Sequence, residues 1–247
     1  MINLSLYPGC VFHLDSESVM RDGGTDLVDR AGGLILRNTG DDVMRRINHR
    51  TFMAEQVNTA SPSFNVIASS GALPVLGDKH AMLVLVAQNM TSLDPYIKLG
   101  NPTAGKGIYT HMRIAEPHWV TYDATNYIQT GLFNASSTPV GTPLVAITTF
   151  NRDAATEALS VRGYVFEPSG AYQLKEGNSN PGATDIRTST WTAYTATVDL
   201  NVDTPIYSAS LFHLDSAAPF AEERIMDAGR YLTKYPGEMY PGWKEIT

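Results

Sequence analysis

Val11-Phe12-His13-Leu14-Asp15-Ser16, near the start of the chain, and Leu211-Phe212-His213-Leu214-Asp215-Ser216, near its end, share the run Phe-His-Leu-Asp-Ser. The flanks do not match, so the pair is not an internal repeat. In each run Phe and Leu fall in one phase and His and Asp in the other, the period-two signature of a strand with one apolar face. Such strands at opposite ends of a chain suit a single sheet, with 11–15 and 211–215 in similar environments and the termini closing the domain. The two His-Leu-Asp triplets then read as strand residues and not as catalytic groups.

The sequence between them supports an all-β reading. Ala81 to Ala87 (AMLVLVA) is a short, wholly apolar run with polar flanks, which suits a strand buried on both faces. Leu144–Phe150 and Leu159–Phe166 are separated by the polar stretch Asn151–Glu157 and read as a hairpin. Thr188–Leu200 alternates Thr with aromatic and apolar residues, a strong β-forming composition. The only helix expected runs over 219–234. Pro219 opens it, Glu222 and Glu223 lie in its first turn, and Ala221, Ile225, Ala228 and Leu232 form one stripe. Pro236 ends it, and the tail 235–247, with Tyr235, Tyr240 and Trp243 among its prolines and glycines, reads as an extended, non-helical strap that buries its rings on the sandwich or on a neighbour. Lys175–Thr184 reads as a long surface loop. No linker divides the chain, so 1–247 is expected to form a single domain.

Composition narrows the function classes. Of 247 residues 43% are hydrophobic, enough for a sizeable core and too many for a disordered chain. Acidic residues number 25 against 18 basic, a net charge of −7, whereas a nucleic-acid binder needs a basic footprint. Cys10 is the only cysteine, which excludes an intramolecular disulfide. The N-terminus has neither the basic nor the apolar region of a signal peptide, and the longest apolar run is too short for a membrane helix. Cytoplasmic synthesis without membrane insertion is the expectation.

The opening residues Phe12-His13-Leu14-Asp15, Asp22-Gly23-Gly24 and Leu27-Val28-Asp29-Arg30-Ala31-Gly32-Gly33 resemble the first strand and loop of concanavalin A-like (laminin-G-like) jelly rolls. Ile206–Asp215 and Pro219–Tyr235 resemble the last strand of that family and the short helix that often follows it. The resemblance implies an antiparallel two-sheet jelly-roll sandwich with one short C-terminal helix. It implies no single activity, because lectins, glycosidases and structural modules share the fold. Its hydrolytic members carry paired carboxylates in a pattern resembling Glu-x-Asp-x-x-Glu, which is absent here.

Several stretches offer candidate chemistry. Trp119, Tyr122, Asp123, Asn126 and Tyr127 combine aromatic surface with groups that bond hydroxyls, as a glycan site requires; the competing reading is a strand pair with aromatics in the core. Trp191 with Tyr194 is a second, similar candidate. Asp199, Asn201 and Asp203 alternate and would share one strand face that could hold calcium, the one cofactor the residues suggest; a solvated strand face competes. Gly100 to Gly107 nearly matches a phosphate-binding loop, but Gly107 stands where Ser or Thr must hold magnesium, and a strand pattern follows. It reads as a Gly-rich turn between strands. The six histidines have no zinc-ligand spacing.

A glycan-contact fold without disulfides fits a bacteriophage virion component of tail, baseplate or capsid surface. Its partners would be other virion proteins or copies of itself, and a host surface glycan. A monomeric bacterial carbohydrate-binding module and a polysaccharide-degrading glycoside hydrolase are the alternatives.

Overall fold

A computed structural model describes residues 2–38, 42–57, 63–72, 80–90, 96–101, 106–111, 119–121, 127–130, 138–152, 159–179, 195–201, 203–214 and 220–245. The described strands are β1 (Cys10–Asp15), β2 (Asp26–Val28), β3 (Ile35–Asn38), β4 (Val43–Arg46), β5 (Phe52–Glu55), β6 (Ser63–Ala72), β7 (His80–Gln88) and β8 (Tyr96–Asn101). They continue as β9 (Lys106–His111), β10 (Trp119–Thr121), β11 (Tyr127–Thr130), β12 (Pro143–Arg152), β13 (Leu159–Phe166), β14 (Tyr172–Ser179), β15 (Thr195–Asn201) and β16 (Ile206–Leu214), followed by helix α1 (Glu222–Lys234).

All pairings are antiparallel and form two packed sheets. The front sheet runs β4-β5-β16-β7-β12-β13-β14, with β1 also on β16; the back sheet runs β2-β3-β6-β15-β8-β9-β10-β11-β14. β14 turns the corner: Tyr172–Glu176 pair with β13, and Gly177–Ser179 pair with β11. A strand that switches sheets in this way is a usual corner device in sandwiches. β9 packs across β7 and β12, and Thr110 of β9 hydrogen-bonds Thr148 of β12 between the sheets. Two inward polar side chains thus satisfy each other in the core.

The apolar run at 81–87 explains the layering. Ala81, Leu83, Leu85 and Ala87 of β7 join the cluster between the sheets. Met82, Val84 and Val86 join a second cluster on the other face of the front sheet, with Ile225, Ala228 and Leu232 of α1 and Met239 and Trp243 of the tail. Helix and tail therefore form a third layer. α1 begins at Glu222, with Ala221 as its cap residue, so it is shorter at its start than the expected 219–234, and Pro219 lies outside the described residues. Gly229 lets it lie close: a Cβ there would stand 2.4 Å from the Phe166 ring.

The tail differs from the extended strap expected. Pro241–Glu245 forms a 3-10 turn. Proline is compatible with a first helical position because its missing N–H would be unpaired there anyway. The turn seats Trp243, only 1% exposed, against Phe212 at 5.4 Å between ring centroids. Of the two places where the strap could bury its rings, the described contacts are with its own sandwich.

The twin segments are neighbours but not equivalents. β1 pairs directly with β16, Phe12 opposite Leu211 and Leu14 opposite Ala209, with a register shift between Cys10 and Phe12. Phe12 and Leu14 lie between the sheets, whereas Phe212 and Leu214 lie under the helix and tail. β16 is apolar in both phases, so the shared run does not say which phase faces which layer. The expected hairpin is present as β12–β13. Lys175–Ser179, expected in a loop, belong to β14; residues 180–184 lie outside the described set, as do 188–194 of the expected strand 188–200.

In an open helix interior Gly to Ala is favourable by up to about 1 kcal/mol. At Gly229 the contact with Phe166 reverses the sign: Gly229→Ala is expected to destabilise by about 1–3 kcal/mol. Urea unfolding of the variant measures it, and a rise in stability would show that helix and sheet are not in close contact.

Candidate functional site

Trp119 opens β10 and Tyr127 opens β11. Tyr122, Asp123 and Asn126, in the connection between these strands, lie outside the described residues, as do Trp191 and Tyr194. Register nevertheless places Trp119 in a defined row. Trp119 is opposite Tyr109 of β9 on one side and Gln129 of β11 on the other. Tyr109 is opposite Lys98 of β8, Lys98 opposite Asp199 of β15, and Asp199 opposite Asn65 of β6. At the far end Gln129 is opposite Asn178 of β14.

Directly opposite residues of an antiparallel pair lie on the same face. Ile97, Leu99 and Thr110, in the alternate phase, are buried in the core. The row Asn65–Asp199–Lys98–Tyr109–Trp119–Gln129–Asn178 therefore lies on the outer face of the back sheet, and it spans roughly 29 Å at the usual strand spacing. Among the described residues neither apolar cluster lies on this face. Aromatic, amide and charged residues share the row. Tyr109, Lys98 and Gln129 could not be assigned to it from sequence, because strand order across the sheet is not a local property.

The calcium candidate falls at the end of β15 and just beyond it. Asp199 and Asn201 share a phase on β15, but that strand ends at Asn201. Asp203 stands beyond it at φ 53°, and its Oδ1 accepts from Gln56 N at 3.1 Å. Of the three candidate residues only the Asp203 side chain lies among the described ones. Lys98 stands at the register position opposite Asp199. The glycine-rich stretch closes a hairpin: Asn101 of β8 is opposite Lys106 of β9, with 102–105 outside the described residues.

A second group of polar residues is buried where β1 meets β16. His13 Nδ1 lies 2.8 Å from Ser210 Oγ, and its Nε2 lies 3.2 Å from Asp15 Oδ2. Arg30 bonds the same Asp15 oxygen and pairs with Glu17 at 2.9 Å. Asp29 accepts from the backbone N–H groups of His13, Ala31 and Gly32. A Ser-His-Asp chain invites comparison with serine hydrolases, but serine and aspartate are on the opposite ring nitrogens. Ser210 is 3% exposed, and its Oγ lies 4.0 Å from Met239 Sδ in the tail. A substrate carbonyl has no route to it.

The electrostatics agree. Burial alone would raise the Asp15 carboxyl, but the His13 hydrogen bond and the charges of His13 and Arg30 hold it below the usual carboxylate range. A glycosidase acid needs the opposite shift. Burial raises the Asp29 carboxyl despite its three backbone donors. The Cys10 thiol is pushed up to about 12 by burial, with the Asp29 charge adding, so it is a poor nucleophile. The group acts as a clamp between β1, the 29–32 turn and β16.

No family model and no curated protein matches the chain. Solved structures do resemble it. The binding domain of botulinum neurotoxin DC, solved in complex with rat synaptotagmin II, is 11% identical with a TM-score of 0.50, over 93% of this chain and 52% of that one. An endo-1,3-beta-glucanase from Streptomyces sioyaensis is 10% identical with a TM-score of 0.39, over 78% of this chain and 79% of that one. The carbohydrate recognition domain of Emp46p, in metal-free form, is 10% identical with a TM-score of 0.33, over 69% and 85%. The chain spans about half the length of the toxin domain it matches. At such identity the likeness to the toxin domain concerns the fold, an all-β jelly-roll sandwich.

The clamp carries a pH signature. A carboxyl whose folded-state pKa is depressed stabilises fully above its unfolded value of about 3.9 and loses that contribution as pH falls through the folded value. Asp15→Asn should lower stability at neutral pH by about 3 kcal/mol, because it leaves Arg30 and His13 without their shared carboxylate. It should also flatten the loss between about pH 5 and pH 2. Unfolding midpoints across that range measure both effects, and a variant with the wild-type acid profile would show that Asp15 carries no depressed pKa.

Proposed function

We propose that the chain is a non-enzymatic glycan-binding module that uses the outer face of the back sheet. The observation that carries this reading is the row through Lys98, Tyr109, Trp119 and Gln129. An aromatic pair beside amide and charged residues suits a sugar, whose ring stacks on an aromatic while its hydroxyls exchange hydrogen bonds. Asp199 and Asn65 extend the same row. Tyr122, Asp123 and Asn126 belong to the proposal through their place in the chain between β10 and β11. The hydrolase alternative is weakened by the absent carboxylate pattern and by the ion-paired state of Asp15.

We infer a virion surface as the setting, with copies of this chain or other virion proteins as neighbours. Its support is in the sequence: a fold suited to surface contact in a chain whose one cysteine allows no internal disulfide. The tail adds nothing to that support, since Trp243 is buried within its own chain. Sedimentation separates this setting from a free module: a defined oligomer favours the particle and a monomer favours the module.

Affinity electrophoresis through gels containing soluble β-glucan or bacterial polysaccharide tests the binding. The chain should be retarded by at least one of them without releasing reducing ends. Trp119→Ala should weaken that retardation about tenfold or more. Retardation that survives this change, or release of reducing ends abolished by changing one Asp or Glu, would contradict the proposal.

A further inference from the structure

A cleft of about 210 Å³ opens where the end of β1, the turn between β4 and β5 and the tail come together, lined among others by Asp15, Glu17, His49, Arg50, Gly237 and Glu238. It is separate from the row on the back sheet, because β1, β4 and β5 belong to the front sheet. Its walls are held by contacts from behind. Arg30 pairs with both Asp15 and Glu17. Glu238 Oε2 accepts from the Tyr231 hydroxyl at 2.7 Å, and that hydroxyl is pushed up to about 12 by burial and by Glu238. Ser16 Oγ donates to the His49 carbonyl at 2.8 Å. Gly237, at φ 83°, lets the tail turn close over Arg50: a Cβ there would stand 3.4 Å from the Arg50 carbonyl oxygen.

What the lining leaves unused indicates the ligand. Among the described residues the Arg50 guanidinium and the His49 ring have no hydrogen-bond or ion-pair partner. Glu17 and Glu238 each engage only Oε2. Free donors and free acceptors therefore stand together in one small cleft. The lining carries three carboxylates, Asp15, Glu17 and Glu238, and one guanidinium, Arg50, and Arg30 pairs with two of those carboxylates, so an anion gains no net attraction. A bare cation leaves the donors idle. A hydroxyl both donates and accepts, and several hydroxyls on one small ring would use both sets at once. The lining offers an apolar side chain as well, that of Ile2. We propose that this cleft is a second carbohydrate site, sized for one neutral sugar ring, with Arg50, Glu17 and Glu238 bonding its hydroxyls. The proposal does not depend on the back-sheet reading.

Backbone amide NMR of the intact chain tests it, titrated separately with D-glucose, D-galactose, D-mannose and N-acetyl-D-glucosamine, and with D-glucuronate as an anionic arm. At least one neutral sugar should move the amides of Glu17, Arg50 and Gly237 with saturation. Arg50→Ala and Glu238→Gln should each weaken that binding about tenfold or more, as loss of a hydrogen bond to a charged group does. Trp119→Ala should leave it unchanged, which separates this site from the one on the back sheet. Arg50 is exposed, so Arg50→Ala should melt with the wild type and its lost binding is a local effect. No saturable shift with any neutral sugar, shifts with glucuronate alone, or shifts abolished by Trp119→Ala would overturn the proposal.

Discussion

Burial of β7 on both faces is the constraint on which the rest of the structure depends. A strand that carries Leu83 and Leu85 on one side and Met82, Val84 and Val86 on the other cannot leave either face in water. Each such side chain withheld from solvent contributes about 1.5–3 kcal/mol, and β12 and β16 beside it are apolar on both faces too. One face of the front sheet takes the back sheet, and the other takes α1 and the tail. The three layers follow, and so does a functional consequence. With the front sheet covered twice, the outer face of the back sheet is the one without an apolar layer among the described residues, and the proposed glycan contact is assigned to it.

The two ends of the chain are joined by polar contacts as well as by packing. His13 links Ser210 of the last strand to Asp15 of the first, and Arg30 ties Asp15 to the following turn. Every member is bonded and little exposed, the condition under which a buried polar network specifies a structure instead of weakening it. Met239 lies over Ser210 and Trp243 over Phe212, so the tail covers this seam. The same convergence of β1, the β4–β5 turn and the tail forms the small cleft. Its carboxylates are held in place by groups whose first role is to close the fold.

Much of this architecture was legible in the sequence because its signals are local. The continuous apolar run of β7, the β12–β13 hairpin, the α1 stripe and the pairing of the two ends each rest on period and turn chemistry. What escaped is what local pattern cannot carry. The shared Phe-His-Leu-Asp run faces opposite layers in its two copies, because β16 is apolar in both phases and pairing across the sheet sets which phase faces which layer. Lys175–Ser179 is polar enough to resemble a loop, yet it pairs with β11 and β13 as the corner of the sandwich. Trp119 was legible as a candidate, but its neighbours Tyr109 and Lys98 come from strands adjacent in space. The cleft joins segments from both ends of the chain, and no spacing rule connects Glu17 to Glu238.

The central claim is that the back sheet's outer face is the contact surface left by a doubly covered front sheet. Hydroxyl-radical footprinting of the intact chain, with and without a polysaccharide that retards it, tests this most directly. The account expects protection of Trp119 and Tyr109 on binding, with Trp243 unreactive in both states. Binding that leaves Trp119 and Tyr109 as reactive as in the free chain would contradict it.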